Sequence, residues 1–139
     1  MGLTYATLEL TNFYDESKQE DGLILKNEIR RWSGEMLVDT GAIRMAINEE
    51  IRQHLGLKKG MVSKVTLADG SVKDIELVGA IKVRFGNRSC ITDAYVLPEN
   101  TEPILGAIPM EGMDLAVIPS ESKLDYNPKH PDGAIFSMK

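Results

Sequence analysis

The chain has 139 residues, 42% of them hydrophobic, and a formal charge of −5. That length favours one domain with a modest core, and with this acidic balance nothing suggests an electrostatic attraction to nucleic acid or to an anionic membrane. No apolar run approaches a membrane span, the amino terminus lacks the basic and apolar regions of a signal peptide, and a single cysteine, Cys90, cannot form an internal disulfide, so the expected location is cytoplasmic.

Residues 3–11 alternate, with Ala6, Leu8 and Leu10 on one side and Thr7, Glu9 and Thr11 on the other, the period of a half-buried strand. Residues 12–22 are polar and mostly acidic and are expected as a solvated loop. Residues 23–32 mix apolar and charged side chains and predict a strand that turns at Ser33-Gly34, with Trp32 as packing. Residues 35–38 then form a strand that ends on Asp39.

The stretch Met36-Leu37-Val38-Asp39-Thr40-Gly41-Ala42 carries the chemistry. Three apolar residues run straight into an acid, a hydroxyl and a glycine, so a buried strand delivers a carboxylate to a tight turn. A rigid strand end fixes the direction of that carboxylate and limits its hydration, which suits acid/base work. Gly41 permits close approach and leaves an amide free to donate, and Thr40 offers a short hydrogen-bonding side chain.

Beyond the turn, Ile43, Met45 and Ile47 alternate with Arg44 and Ala46 as a further strand. Asn48 is a helix cap, Glu49 and Glu50 occupy the first turn, and Gly56 stops the helix after Leu55. His54, within it, has no companion at ligand spacing and is expected as an ordinary surface or packing residue. Residues 61–67 and 71–78 flank Ala68-Asp69-Gly70, a strong hairpin signal, and residues 81–85 and 90–97 make a second hairpin around Gly86-Asn87. Cys90 falls on that alternation as a small buried residue. Ile104-Leu105-Gly106 is a second apolar-apolar-glycine element, and residues 107–112 hold a helical turn. Residues 114–118 and 123–126 look like a closing pair of strands. Residues 1–126 are thus expected as one domain, and residues 127–139, with prolines, glycine and charges, as a loose tail on which Ile135 and Phe136 could meet a partner.

The strand into Asp39-Thr40-Gly41-Ala42, the helix at 48–55, the hairpin at Asp69-Gly70 and the later Ile104-Leu105-Gly106 together resemble the retropepsin-like aspartic proteases over residues 35–127. The likeness is nearest to the bacterial single-domain members, in Leu105-Gly106-Ala107-Ile108-Pro109 and Asp114-Leu115-Ala116-Val117. The resemblance implies an all-β fold: a small closed barrel-like sheet with one or two short helices and one half-site per chain. It implies Asp39 as the catalytic residue, with Thr40, Gly41 and Ala42 supporting its loop, and Ile104, Leu105 and Gly106 packing beneath the turn. It also implies Ala68, Asp69, Gly70 and Ser71 as the tip of a flap over substrate, although Asp69 by itself reads first as a plain turn former.

One suitable acid per chain implies a homodimer that places Asp39 of each subunit across a twofold axis, a polypeptide substrate, and neither metal nor organic cofactor. Ile43-Arg44 follows the turn where many relatives carry a short polar or acidic residue. Arg44 either sits near the dyad, favouring its ionised form, or points away to pair with a surface acid. The rival from another class is a non-catalytic dimeric peptide-binding module on the same fold. Phosphoryl transfer fails for want of a glycine-rich phosphate loop, and serine or cysteine hydrolysis for want of a nucleophile context around Cys90 and the two histidines.

Overall fold

A computed structural model describes residues 2–138. Strand β1 (Thr4–Asn12) turns its Ala6, Leu8 and Leu10 inward as the alternation predicts, and pairs antiparallel with β2 (Arg31–Val38), Thr4 lying opposite Val38. Next come β3 (Met45–Asn48), β4 (Met61–Thr66), the long β5 (Val72–Phe85), β6 (Arg88–Leu97) and the two-residue β7 (Ile104–Leu105). In space the order is β1-β2-β7-β3-β6-β5-β4, and β1 also pairs with β5, so the sheet curls into a ring around the core. Strands β8 (Leu115–Ile118) and β9 (Lys123–Tyr126) form a separate antiparallel pair.

The ring closes on Leu8, Leu10, Met36, Met45, Ile47, Leu55, Ile81, Val83, Leu105 and Met113, all fully buried. Burying each such side chain contributes on the order of 1.5–3 kcal/mol. Helix α2 (Glu49–Leu55) has the expected ends: the Asn48 side chain accepts from the Ile51 amide at 2.9 Å, and Gly56 closes it in the left-handed region at φ +64°. Its Ile51 and Leu55 face the core. The short α3 (Ala107–Gly112) follows β7 directly. No helix among the described residues is long and apolar enough to cross a membrane.

Three expectations need correction. Residues 12–22 do not form a solvated loop: Phe13–Glu20 is a helix, α1, capped by the Asn12 side chain, which accepts from the Asp15 amide at 3.1 Å. Asp15 is buried because it takes three hydrogen bonds from Arg30, at 2.8, 2.9 and 3.0 Å. Nor does the chain turn at Ser33-Gly34. Both residues lie inside β2, and the preceding segment holds only a short 3-10 turn at Lys26–Glu28. Gly34 is small for want of room, since a Cβ there would lie 2.6 Å from the Trp32 indole.

Residues 127–138 have no regular secondary structure, yet they are tethered rather than loose as far as Ile135. Asp114 accepts from the Asn127 side chain at 2.9 Å and from the Ile135 amide at 3.1 Å, and it meets the His130 ring at 2.6 Å. Those partners, Asn127 foremost, hold its carboxyl down at about 2.

Candidate active site

Strand β7 lies between the strand that enters the Asp39 turn and the strand that leaves it. It runs parallel to β2, with Leu37 beside Ile104 and Val38 beside Leu105, and antiparallel to β3, with Ala46 beside Ile104. Backbone bonds stitch the loop down from both sides. The Leu37 amide donates to Pro103 O at 2.9 Å and the Asp39 amide to Leu105 O at 3.0 Å; Ala42 O and Ile43 O accept from the amides of Ala107 at 2.7 Å and Ile108 at 2.9 Å. Gly106 makes this fit possible. A Cβ there would sit 2.3 Å from Arg44 O and 2.8 Å from Ala42 O, both backbone atoms that cannot swing aside.

Within the loop, the Gly41 amide donates to Asp39 Oδ1 at 2.9 Å and the Ala42 amide to Asp39 O at 3.2 Å. One carboxylate oxygen is thereby fixed by its own turn, while Oδ2 has no hydrogen-bond partner among the described residues. Asp39 is half-buried and Thr40 and Gly41 are exposed, so the carboxylate is aimed outward from a rigid base. Beside it opens a shallow groove of about 360 Å³ between Leu3 and Thr4 of the amino-terminal segment, Val38 to Thr40, and Val117 and Pro119. Apolar side chains stand exposed around the turn: Leu3, Ile43 and Ile108.

Thus Asp39, Thr40, Gly41 and Ala42 come together with Ile104, Leu105 and Gly106. Ala68, Asp69, Gly70 and Ser71 occupy the tip of the β4–β5 hairpin, where Asp69 Oδ1 accepts from the Ser71 amide at 2.9 Å and the Ser71 hydroxyl at 2.6 Å. No hydrogen bond or ion pair among the described residues joins this tip to the Asp39 turn. The Ser71 hydroxyl, then its amide, holds the Asp69 carboxyl below its ordinary value.

Of the two possibilities for Arg44, the structure shows the pairing with an acid: Asp93 at 2.9 Å, with the guanidinium 5.9 Å from the centre of the Tyr95 ring. His54 Nε2 lies 2.7 Å from Arg31 O, and burial pushes the Cys90 thiol up to about 11, so that it stays protonated and unreactive at neutral pH. No group of three side chains suited to a metal occurs among the described residues.

Three residues tied to the site's surroundings carry no local signal in the sequence: the Arg44 partner Asp93, and Leu3 and Thr4. Asp93 lies 49 positions from Arg44. Leu3 and Thr4 reach the turn only because β1 runs antiparallel to β2, which brings the start of one strand to the end of the other.

A curled all-β sheet in which an Asp-Thr-Gly turn is braced by a second apolar-apolar-glycine element defines the retropepsin-like aspartyl protease fold. The chain belongs to the gag-polyprotein putative aspartyl protease family, whose family model matches residues 26–109. No curated protein matches the chain significantly. Membership carries the protease class, and with it a polypeptide as the kind of substrate.

Proposed function

We propose that the chain is an aspartic endopeptidase that acts as a homodimer, with Asp39 of each subunit sharing one water. The observation that carries this reading is the Asp39 carboxylate itself: Oδ1 is held by the Gly41 amide, Oδ2 is free, and the loop is pinned by Leu105, Ala107 and Ile108. A single such group cannot both take a proton from water and give one to the carbonyl. Two of them across a twofold axis can, and the exposed Leu3, Ile43 and Ile108 around the turn offer apolar surface for that contact.

Two carboxylates a few ångströms apart cannot both ionise cheaply, so the pair holds one proton between them and titrates as a unit. The ionised partner accepts a proton from the water as its oxygen bonds to the scissile carbon, and the protonated partner donates to the carbonyl oxygen. Collapse of the tetrahedral adduct then breaks the C–N bond: the carboxyl that took the water proton gives it to the leaving amine, and the other carboxylate takes a proton back from the adduct hydroxyl, so the pair again holds one. Thr40 would brace the two loops across the interface. Substrate would lie extended between this floor and the hairpin tip at residues 68–71, using sheet-type backbone bonds while pockets read alternate side chains.

The test compares wild type with Asp39→Asn on a mixed peptide library from acid to neutral pH, products being read by mass spectrometry and folding by circular dichroism. The expected outcome is cleavage by wild type that falls at least about 1000-fold in the variant with its fold intact, and specific activity that declines as dilution splits the dimer. Identical product patterns would remove the catalytic assignment. Peptide binding without cleavage at any pH would favour the binding module instead.

A further inference from the structure

Strand β5 is bordered along one edge by two strands that do not meet. Strand β4 pairs with it as far as Met61 opposite Leu77, and β1 takes over only at Asn12 opposite Ile81. Among the described residues, no strand lies beside Val78, Gly79 and Ala80 on that edge, where Val78 is covered by Gly60 and the other two are part-exposed. On the other edge the register slips at the same place, so that Gly79 and Ala80 together face Asp93 of β6. The result is a notch in the sheet, walled by α1 on one side and the 56–60 loop on the other. It opens into two adjoining cavities of about 410 and 430 Å³ that share Tyr14, Gly60 and Gly79.

The lining of the notch runs against the charge of the whole chain. Lys18, Arg30, Lys58 and Lys59 line the first cavity in a protein of net charge −5. The two acids present are already engaged, Asp15 by Arg30 and Asp93 by Arg44. Lys59 lies 3.7 Å from Glu76, whereas Lys18 and Lys58 make no ion pair among the described residues. Tyr14 and Met61 add exposed apolar surface, at 56% and 69%.

The walls are also fixed in advance. The Asn12 side chain donates to Leu55 O at 2.8 Å, Arg30 ties α1 to the start of β2, and at Gly60 the chain crosses β5 so closely that a Cβ would sit 2.0 Å from Leu77 O. A groove that need not reorganise binds with less loss of entropy.

We infer that this notch is a docking site for an acidic, extended segment of a polypeptide partner, separate from Asp39 and independent of any cleavage there. Val78 is buried against Gly60, but Gly79 and Ala80 are part-exposed, and their backbone can bond an extended peptide laid across the notch. Alternate side chains of such a peptide point to one side. Carboxylates of such a segment meet Lys18 and Lys58 in the first cavity, and its apolar side chains meet Tyr14, which lines both cavities, and Met61 in the second.

The test uses the full chain as Asp39→Asn, so that no probe is cleaved, and a labelled ten-residue peptide of alternating glutamate and valine, followed by fluorescence anisotropy at low salt. The expected result is saturable binding that weakens with added salt, falls at least tenfold in Lys18→Glu/Lys58→Glu, and is unchanged in Lys73→Glu/Lys129→Glu, which alters the net charge equally at exposed positions elsewhere. In the complex, the amide resonances of Gly79 and Ala80 should shift. Absence of binding, equal loss in both double variants, binding without shifts at Gly79 and Ala80, or equal binding of an alternating lysine-valine peptide would each overturn the assignment. Displacement by a single-stranded oligonucleotide as effective as by unlabelled peptide would overturn the polypeptide as occupant.

Discussion

Asp39 and Asp69 make the same local bond. In each turn Oδ1 accepts from the backbone amide two residues on, Gly41 in one and Ser71 in the other, at 2.9 Å in both. Their surroundings differ. The turn at Asp39 is fastened to a strand and a helix more than sixty positions away, through Leu105 O and the amides of Ala107 and Ile108. The turn at Asp69 is closed only by its neighbours, with Leu67 bonding Ser71 and Gly70, and Ala68, Asp69 and Gly70 are all exposed. An aspartate that folds back on its own turn is therefore a common local device. What sets Asp39 apart is the two-residue strand threaded beneath it, with Leu105 fully buried, which holds the carboxylate still without a second side chain among the described residues to neutralise it.

The glycines test this difference most sharply. At Gly106 an added Cβ meets two backbone carbonyls of the Asp39 loop, so Gly106→Ala should cost about 3 kcal/mol in urea denaturation and abolish cleavage by lifting the loop off β7. At Gly41 the same methyl would touch only Asp39 Oδ1, at 3.2 Å. Gly41→Ala should then leave stability within about 0.5 kcal/mol of wild type while turning the carboxylate and lowering cleavage about tenfold. Equal stability of the two variants would show that β7 does not hold the turn.

The Asp39 half of the comparison was largely legible in the sequence and much around it was not, for one physical reason. Strand alternation, the Asn48 and Gly56 caps and the Asp69-Gly70 hairpin are determined by residues a few positions apart, and each stands where its pattern puts it. Helix α1 has polar side chains on nearly every face, and its anchoring partner, Arg30, lies 15 positions from Asp15. The cap alone was readable: Asn12 followed by Asp15 at the third helical position is an amino-terminal signature. Gly34 carried the signal of a turn because the covering Trp32 ring is a feature of packing. The Arg44–Asp93 pair and the bonds of Asn127, His130 and Ile135 to Asp114 are equally non-local, so a cation beside the turn and a tail rich in proline could not be placed from their own neighbourhoods.

A smaller effect is expected at the hairpin tip. Gly70 has φ +85° and nothing within 4 Å of the position a Cβ would take, so its cost of substitution is backbone strain alone. Gly70→Ala should destabilise by about 1 kcal/mol, and Gly70→Asn by less, because asparagine tolerates the left-handed region. The contrast with Gly106→Ala separates a glycine required by dihedral angle from one required by space. If Gly70→Ala proved as damaging as Gly106→Ala, the tip would have to carry long-range bonds.

The least effect belongs to pH, and it divides the two turns by reach rather than size. Ser71 holds the Asp69 carboxyl below its ordinary value, through its hydroxyl first and its amide second. A group whose value is depressed by folding contributes above its unfolded value, about 3.9 for an aspartate, and that contribution is lost as pH falls through the lower folded value. The Ser71 amide resonance should therefore titrate with a midpoint below about 3.9, and the step should vanish in Asp69→Asn. Because no backbone hydrogen bond among the described residues leads from residues 68–71 to the Asp39 turn or β7, the resonances of Leu105, Ala107 and Ile108 should not move with it. A shared midpoint across both groups would mean that the hairpin and the floor of the site are coupled, and the two turns would then have to be treated as one device.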